Sequence, residues 1–144
     1  MNTALLISDK YKYIYFEVAK AASRTIFHCL NRTDFRYEIC TKYDEKWNNY
    51  YKFTFIRETV DRLISCYNYF FGNPNKSNIK YLKEYSLNPE MSFSEFIKAI
   101  RINENKHWCL QSYLFPEKMD LIESVNNIEV VMKLISTKLK IPIN

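Results

Sequence analysis

A single glycine, Gly72, and four prolines are all that the 144-residue sequence offers of the two chain-breaking residue types. That scarcity excludes collagenous, linker-like and glycine-rich low-complexity chains, and it denies the protein a Walker-type phosphate loop. The four cysteines, Cys29, Cys40, Cys66 and Cys109, form no Cys-x-x-Cys pair. This points away from a zinc site or disulfide framework, so no metal is expected, and toward reduced thiols in a cytoplasmic protein. Apolar runs extend over a few residues only, too short for a membrane span, and none follows a basic start as in a secretory signal. Histidine is limited to His28 and His107, which restricts the choice of a histidine base.

Apolar residues make up 47% of the chain, enough for one core in one domain, residues 1–144. The net charge of +5 favours an anionic partner. Lys, Asn, Ile and Tyr supply 56 of the 144 residues; their codons are rich in A and T, which suggests a bacterial or viral source.

Residues 11–18 (Tyr-Lys-Tyr-Ile-Tyr-Phe-Glu-Val) are aromatic and β-branched and predict a first strand. Ile26, Cys29 and Leu30 then recur at helical spacing, predicting a helix over 23–31 that Ser23 or Thr25 can cap. A second strand is expected over 35–41 and a third over 51–56, followed at once by a helix with Val60, Leu63, Ile64, Tyr67 and Phe71 on one face. Residues 72–89 are polar, with turn residues at both ends, and predict a short helix in a surface excursion suited to a substrate-facing lid. Ser92 and Glu95 form a capping box for a helix to about Ile102. A short last strand near 119–122 and a closing helix over 125–139 complete the chain. Alternating strands and helices predict an α/β fold with a parallel sheet flanked by helices, its ligand site beyond the carboxyl ends of the strands.

Two segments at such strand ends carry chemistry. Val18-Ala19-Lys20-Ala21-Ala22-Ser23-Arg24-Thr25 puts small residues, two cations and two hydroxyls around a helix N-terminus, a setting for phosphate; its plain alternative is a capped helix with solvated Lys20 and Arg24. Phe53-Thr54-Phe55-Ile56-Arg57 runs into a helix bearing Ser65, and Arg57 and Ser65 can share one anion; the plain alternative pairs Arg57 with Asp61.

Together these segments resemble the paired signatures of sulfotransferases that use 3′-phosphoadenosine 5′-phosphosulfate (PAPS), in particular the carbohydrate branch. Ala19-Lys20-Ala21-Ala22-Ser23-Arg24-Thr25 is similar to the family's Pro-Lys-x-(Ala/Gly)-(Ser/Cys)-(Ser/Thr)-(Ser/Thr) loop. Residues 53–67, with Arg57, Arg62, Ser65 and Tyr67 in step, are similar to its Phe-x-Phe-(Val/Ile)-Arg-(Asn/Asp)-Pro-x-x-Arg-x-x-Ser-x-Tyr signature. His107-Trp108-Cys109-Leu110-Gln111 and Asn126-Asn127-Ile128-Glu129 resemble two further family segments. The resemblance implies a P-loop nucleoside-kinase-like fold in minimal form and transfer of a sulfuryl group from PAPS, leaving adenosine 3′,5′-bisphosphate (PAP), to a hydroxyl or amine of a small-molecule or carbohydrate acceptor. It implies Lys20, Ala22, Ser23, Arg24 and Thr25 at the 5′-phosphosulfate, Arg57 and Ser65 at the 3′-phosphate, and Lys20 at the leaving bridge. Ala19 stands where the family has proline, and Glu58-Thr59 where it has Asn-Pro.

The base is open among Asp44 and Glu45, at the end of the second strand, and His107, whose other reading is to position Trp108 and Gln111. His28 is read as structural or solvated, and Arg62 as half of a structural salt bridge. The alternatives are a PAP- or PAPS-binding protein without turnover, a nucleotide kinase-like P-loop protein, and a basic nucleic-acid-binding module, for which a continuous basic face would be needed; partners in nucleic acid or membrane are not expected.

Overall fold

The computed structural model describes residues 2–40 and 45–144. Its centre is a five-stranded sheet of β1 (Thr3–Ser8), β2 (Tyr13–Phe16), β3 (Arg36–Cys40), β4 (Tyr51–Ile56) and β5 (Leu121–Ser124), in the order β3-β1-β2-β4-β5. β2, β4 and β5 are mutually parallel, whereas β1 is antiparallel to both its neighbours. The sheet is therefore mixed, not parallel as the sequence predicted. The reason is the short connection 9–12: it can close a β1–β2 hairpin, with the Tyr11 amide donating to Ser8 Oγ at 3.2 Å, while a parallel pairing needs a crossover of a dozen residues or more.

β1 was not anticipated. Its Ala-Leu-Leu-Ile core is buried on both faces, so it lacks the alternation by which a half-exposed strand announces itself. The first strand read over 11–18 contracts to β2 at 13–16, which places Glu17 just past its end.

The helices are α1 (Ser23–Leu30), α2 (Thr59–Phe71), α3 (Lys76–Glu84), α4 (Phe93–Ala99) and α5 (Ile128–Leu139). α1 and α5 cover one face of the sheet, where Leu6, Tyr13, Tyr15, Phe53 and Phe55 meet Ile26, Leu30, Met132 and Ile135. The opposite face buries Leu5, Ile7, Ile14 and Phe16 under Trp47. α2, α3 and α4 enclose a separate aromatic cluster of Cys66, Phe70, Leu82, Leu87, Phe96 and Trp108. α3 thus does not stand off as a lid: Leu82 is fully buried, and Asn78 Nδ2 donates to Tyr69 O at 2.8 Å. The Ser92–Glu95 capping box is formed as expected, although α4 ends at Ala99. Among the described residues, no helix is long and apolar enough to cross a membrane.

Candidate functional site

The parallel strands β2 and β4 end side by side, and the segments that follow them, 17–22 and Arg57, open onto one cavity of about 450 Å³. Glu17, Ala19, Lys20, Ala22, Ser23, Arg24, Arg57, Ser65 and His107 line it. Six of the seven residues expected at the donor, Lys20, Ala22, Ser23, Arg24, Arg57 and Ser65, are thereby brought together. Thr25 is not: it is exposed on α1, and its amide donates to Ala22 O at 2.9 Å. His107 reaches the cavity, but Glu45 sits exposed in a short 3-10 turn away from it, and Asp44 lies outside the described residues.

The loop between β2 and α1 is shaped by its backbone. Lys20 (φ 67°) and Ala22 (φ 60°) are both left-handed, a conformation costing a non-glycine residue roughly 1–2 kcal/mol. Between them the Ala21 amide donates to Val18 O at 3.0 Å, closing a tight turn just before α1. Neither Ser23 nor Thr25 caps α1, contrary to the sequence expectation. The N-cap is Ala22, with no side-chain cap bond, and Ser23 Oγ instead donates to Val18 O at 3.4 Å. The helix therefore presents its positive end to the cavity unscreened by a capping side chain.

Arg62 holds this loop against the segment carrying His107. The residue is 3% exposed, and its guanidinium donates from Nε to Ala19 O (2.8 Å), from Nη1 to Cys109 O (2.7 Å) and from Nη2 to Lys106 O (2.9 Å). The expected salt bridge is replaced by three carbonyls, which satisfy the fork without a carboxylate. Burial pulls the Arg62 pKa below the usual arginine range. Gln111 locks Arg57 from the other side: the Arg57 amide donates to Gln111 Oε1 at 2.9 Å, and Gln111 Nε2 donates back to Arg57 O at 2.7 Å. Glu58, in place of asparagine, caps α2 by accepting from the Asp61 amide at 3.0 Å, so this departure from the signature keeps the helix start intact.

Lys20 lies with Nζ 4.1 Å from the centre of the Tyr69 ring, a cation–π contact that holds the ammonium at the cavity wall. Its pKa is lowered, by burial first and then by Arg24 and Arg57, against a raising influence of Cys66. His107 is wedged edge-on against Phe70 and Tyr81, its Nδ1 buried without a hydrogen-bond partner among the described residues. Burial, reinforced by Lys106, Lys20 and Arg62, pushes its pKa down to about 4, so it is neutral near pH 7. Sequence reasoning missed Tyr69, one helical turn beyond Ser65 and legible as its neighbour on α2, and Glu17, read there as strand interior.

With this cavity described, the comparison with known proteins is direct: the sequence profile of the sulfotransferase family matches residues 3–141. The chain belongs to the sulfotransferase family. Within it, the chain is similar to mouse (Mus musculus) carbohydrate sulfotransferase 14, with 23% identity over a match covering 72% of this chain and 37% of the relative. It thus spans well under half the length of that carbohydrate-branch sulfotransferase. No solved structure matches significantly.

Proposed function

We propose that this member of the sulfotransferase family transfers the sulfuryl group of PAPS to a hydroxyl of a small-molecule or carbohydrate acceptor, within a single domain of P-loop nucleoside-kinase-like type. The observation that carries the reading is the convergence of Lys20, Ser23, Arg24, Arg57 and Ser65 on one cavity at the uncapped start of α1. The residues fit a donor with two separated phosphate groups. The loop of Lys20 and Ala22 and the α1 terminus form one anion-binding end, and Arg57 with Ser65 forms a second.

PAPS supplies an activated sulfur–oxygen bond. Lys20 and the α1 terminus would hold the 5′-phosphate and balance the charge that gathers on it as that bond breaks, so catalysis would rest on positioning and electrostatics. Arg57 and Ser65 would select the 3′-phosphate, which ATP lacks. Calorimetric titration with PAP, beside ATP and AMP, tests this reading. Micromolar PAP binding that weakens in Arg57→Ala and Ser65→Ala is the expected result; absence of PAP binding would refute the donor, and preferential ATP binding would favour a kinase-like protein instead.

A further inference from the structure

Sulfuryl transfer to a hydroxyl also needs an acceptor for the hydroxyl proton, and resting on the reading above, we propose that Glu17 is that general base. Its backbone is pinned on both sides at the end of β2: the Glu17 amide donates to Ala4 O at 2.9 Å, and Thr3 Oγ1 donates to Glu17 O at 3.3 Å. Among the described residues, Glu17 is the sole carboxylate lining the 450 Å³ cavity. Among the described residues no side chain forms a hydrogen bond or ion pair with its carboxylate, although Lys20, Arg24 and Arg57 line the same space. A carboxylate that structure alone would pair with one of these cations is thus left open to a reactant.

Position adds a second argument. A smaller hollow of about 40 Å³ adjoins the cavity and shares with it only Glu17, Ala19 and His107. Through Asn2, Ala4 and Lys106 it continues into a hollow of about 360 Å³ walled by Tyr81, Tyr85, Glu104 and Asn105. Donor-binding residues lie at one end of this connected cleft, and aromatic and polar side chains suited to a hydroxylated acceptor lie at the other. Glu17 and His107 are the titratable groups at the junction. Burial first, and then Lys106, Lys20 and Arg62, disfavour an imidazolium at His107. Glu17 takes the acceptor proton as the acceptor oxygen bonds to sulfur. The electron pair of the breaking sulfur–oxygen bond stays on the 5′-phosphate beside Lys20, and Glu17 returns the proton to solvent once product has left.

The test compares the intact protein with Glu17→Gln and Glu17→Ala. Sulfuryl transfer is followed from radiolabelled PAPS to a panel of desulfated polysaccharides and simple glycosides, and PAP affinity is measured in parallel by calorimetry. For Glu17→Gln the expected result is PAP affinity within about threefold of wild type and turnover reduced on the order of 10²–10⁴-fold. In Glu17→Ala, added formate restores part of the turnover. Turnover of Glu17→Gln within threefold of wild type would overturn the assignment and leave the sulfotransferase reading standing. Parallel loss of PAP binding and turnover would make Glu17 a support of the loop and also overturn it. A wild-type protein that binds PAP but labels nothing in the panel would remove the carbohydrate acceptor and this inference together.

Discussion

Removing the Arg62 side chain tests the architecture of the site without touching a proposed ligand contact. Arg62→Ala deletes three charge-assisted hydrogen bonds, to Ala19, Cys109 and Lys106, each worth about 1.5–3 kcal/mol. The gross loss is offset in part, because the buried guanidinium no longer has to be kept from water and because Lys106, which is exposed, can rehydrate its carbonyl. Cys109 is buried and cannot do so readily. The net destabilisation is therefore about 3–5 kcal/mol, from the Ala19 and Cys109 carbonyls left short of a donor at about 1–3 kcal/mol each and the packing lost with the buried side chain. With a urea slope of about 2 kcal/mol per M, the unfolding midpoint falls by about 2 M. PAP affinity falls as well, since Ala19 directly precedes Lys20 and its carbonyl loses its anchor. Arg62→Lys, which can satisfy only part of the fork, is intermediate. The assay is urea unfolding followed by fluorescence, with calorimetric PAP titration on the folded fraction. A variant within 1 kcal/mol of wild type would refute the claim that Arg62 braces the loop against the segment carrying His107.

Three further outcomes follow from the same geometry. Lys20→Ala lowers sulfuryl transfer on the order of 10²–10³-fold, through lost charge stabilisation, whereas Arg57→Ala mainly weakens PAP binding, about 10–100-fold from one charge-assisted contact; steady-state kinetics beside calorimetry separates the two. His107 has a folded pKa near 4 against about 6.5 unfolded, so the unfolded chain binds the extra proton first. Stability is accordingly retained above about pH 6.5 and lost as pH falls toward 4, by about 2–3 kcal/mol at pH 4.5; His107→Phe flattens that slope in urea titrations at the two pH values. Ser92→Ala removes the α4 capping box and costs about 1 kcal/mol, with PAP affinity unchanged.

Much of the site was legible because its chemistry is contiguous. Lys20, Ser23 and Arg24 lie in one loop and helix start, and Arg57 and Ser65 on one strand-to-helix segment, so residue type and spacing identified them before their meeting could be seen. β4, α2 and the α4 cap were similarly readable from alternation, helical spacing and the Ser92–Glu95 pair. The α1 cap was misread because serine and threonine there satisfy a local rule that the left-handed Ala22 overrides. Arg62 was misread because its partners are backbone carbonyls, and a carbonyl has no signature in a sequence.

The sequence by itself determined the family, the order of most elements and most of the residues that line the cavity, since these depend on local periodicity and on side chains a few positions apart. Only the tertiary structure decided that β1 inserts antiparallel between β2 and β3, that α3 is packed by Leu82 rather than free to close as a lid, and that Glu17 and His107 meet at the junction of two hollows. The physical reason is common to all three. A strand buried on both faces, a helix anchored by one side chain and a carboxylate left unpaired are defined by neighbours distant in the chain, and those neighbours exist only after the sheet has formed.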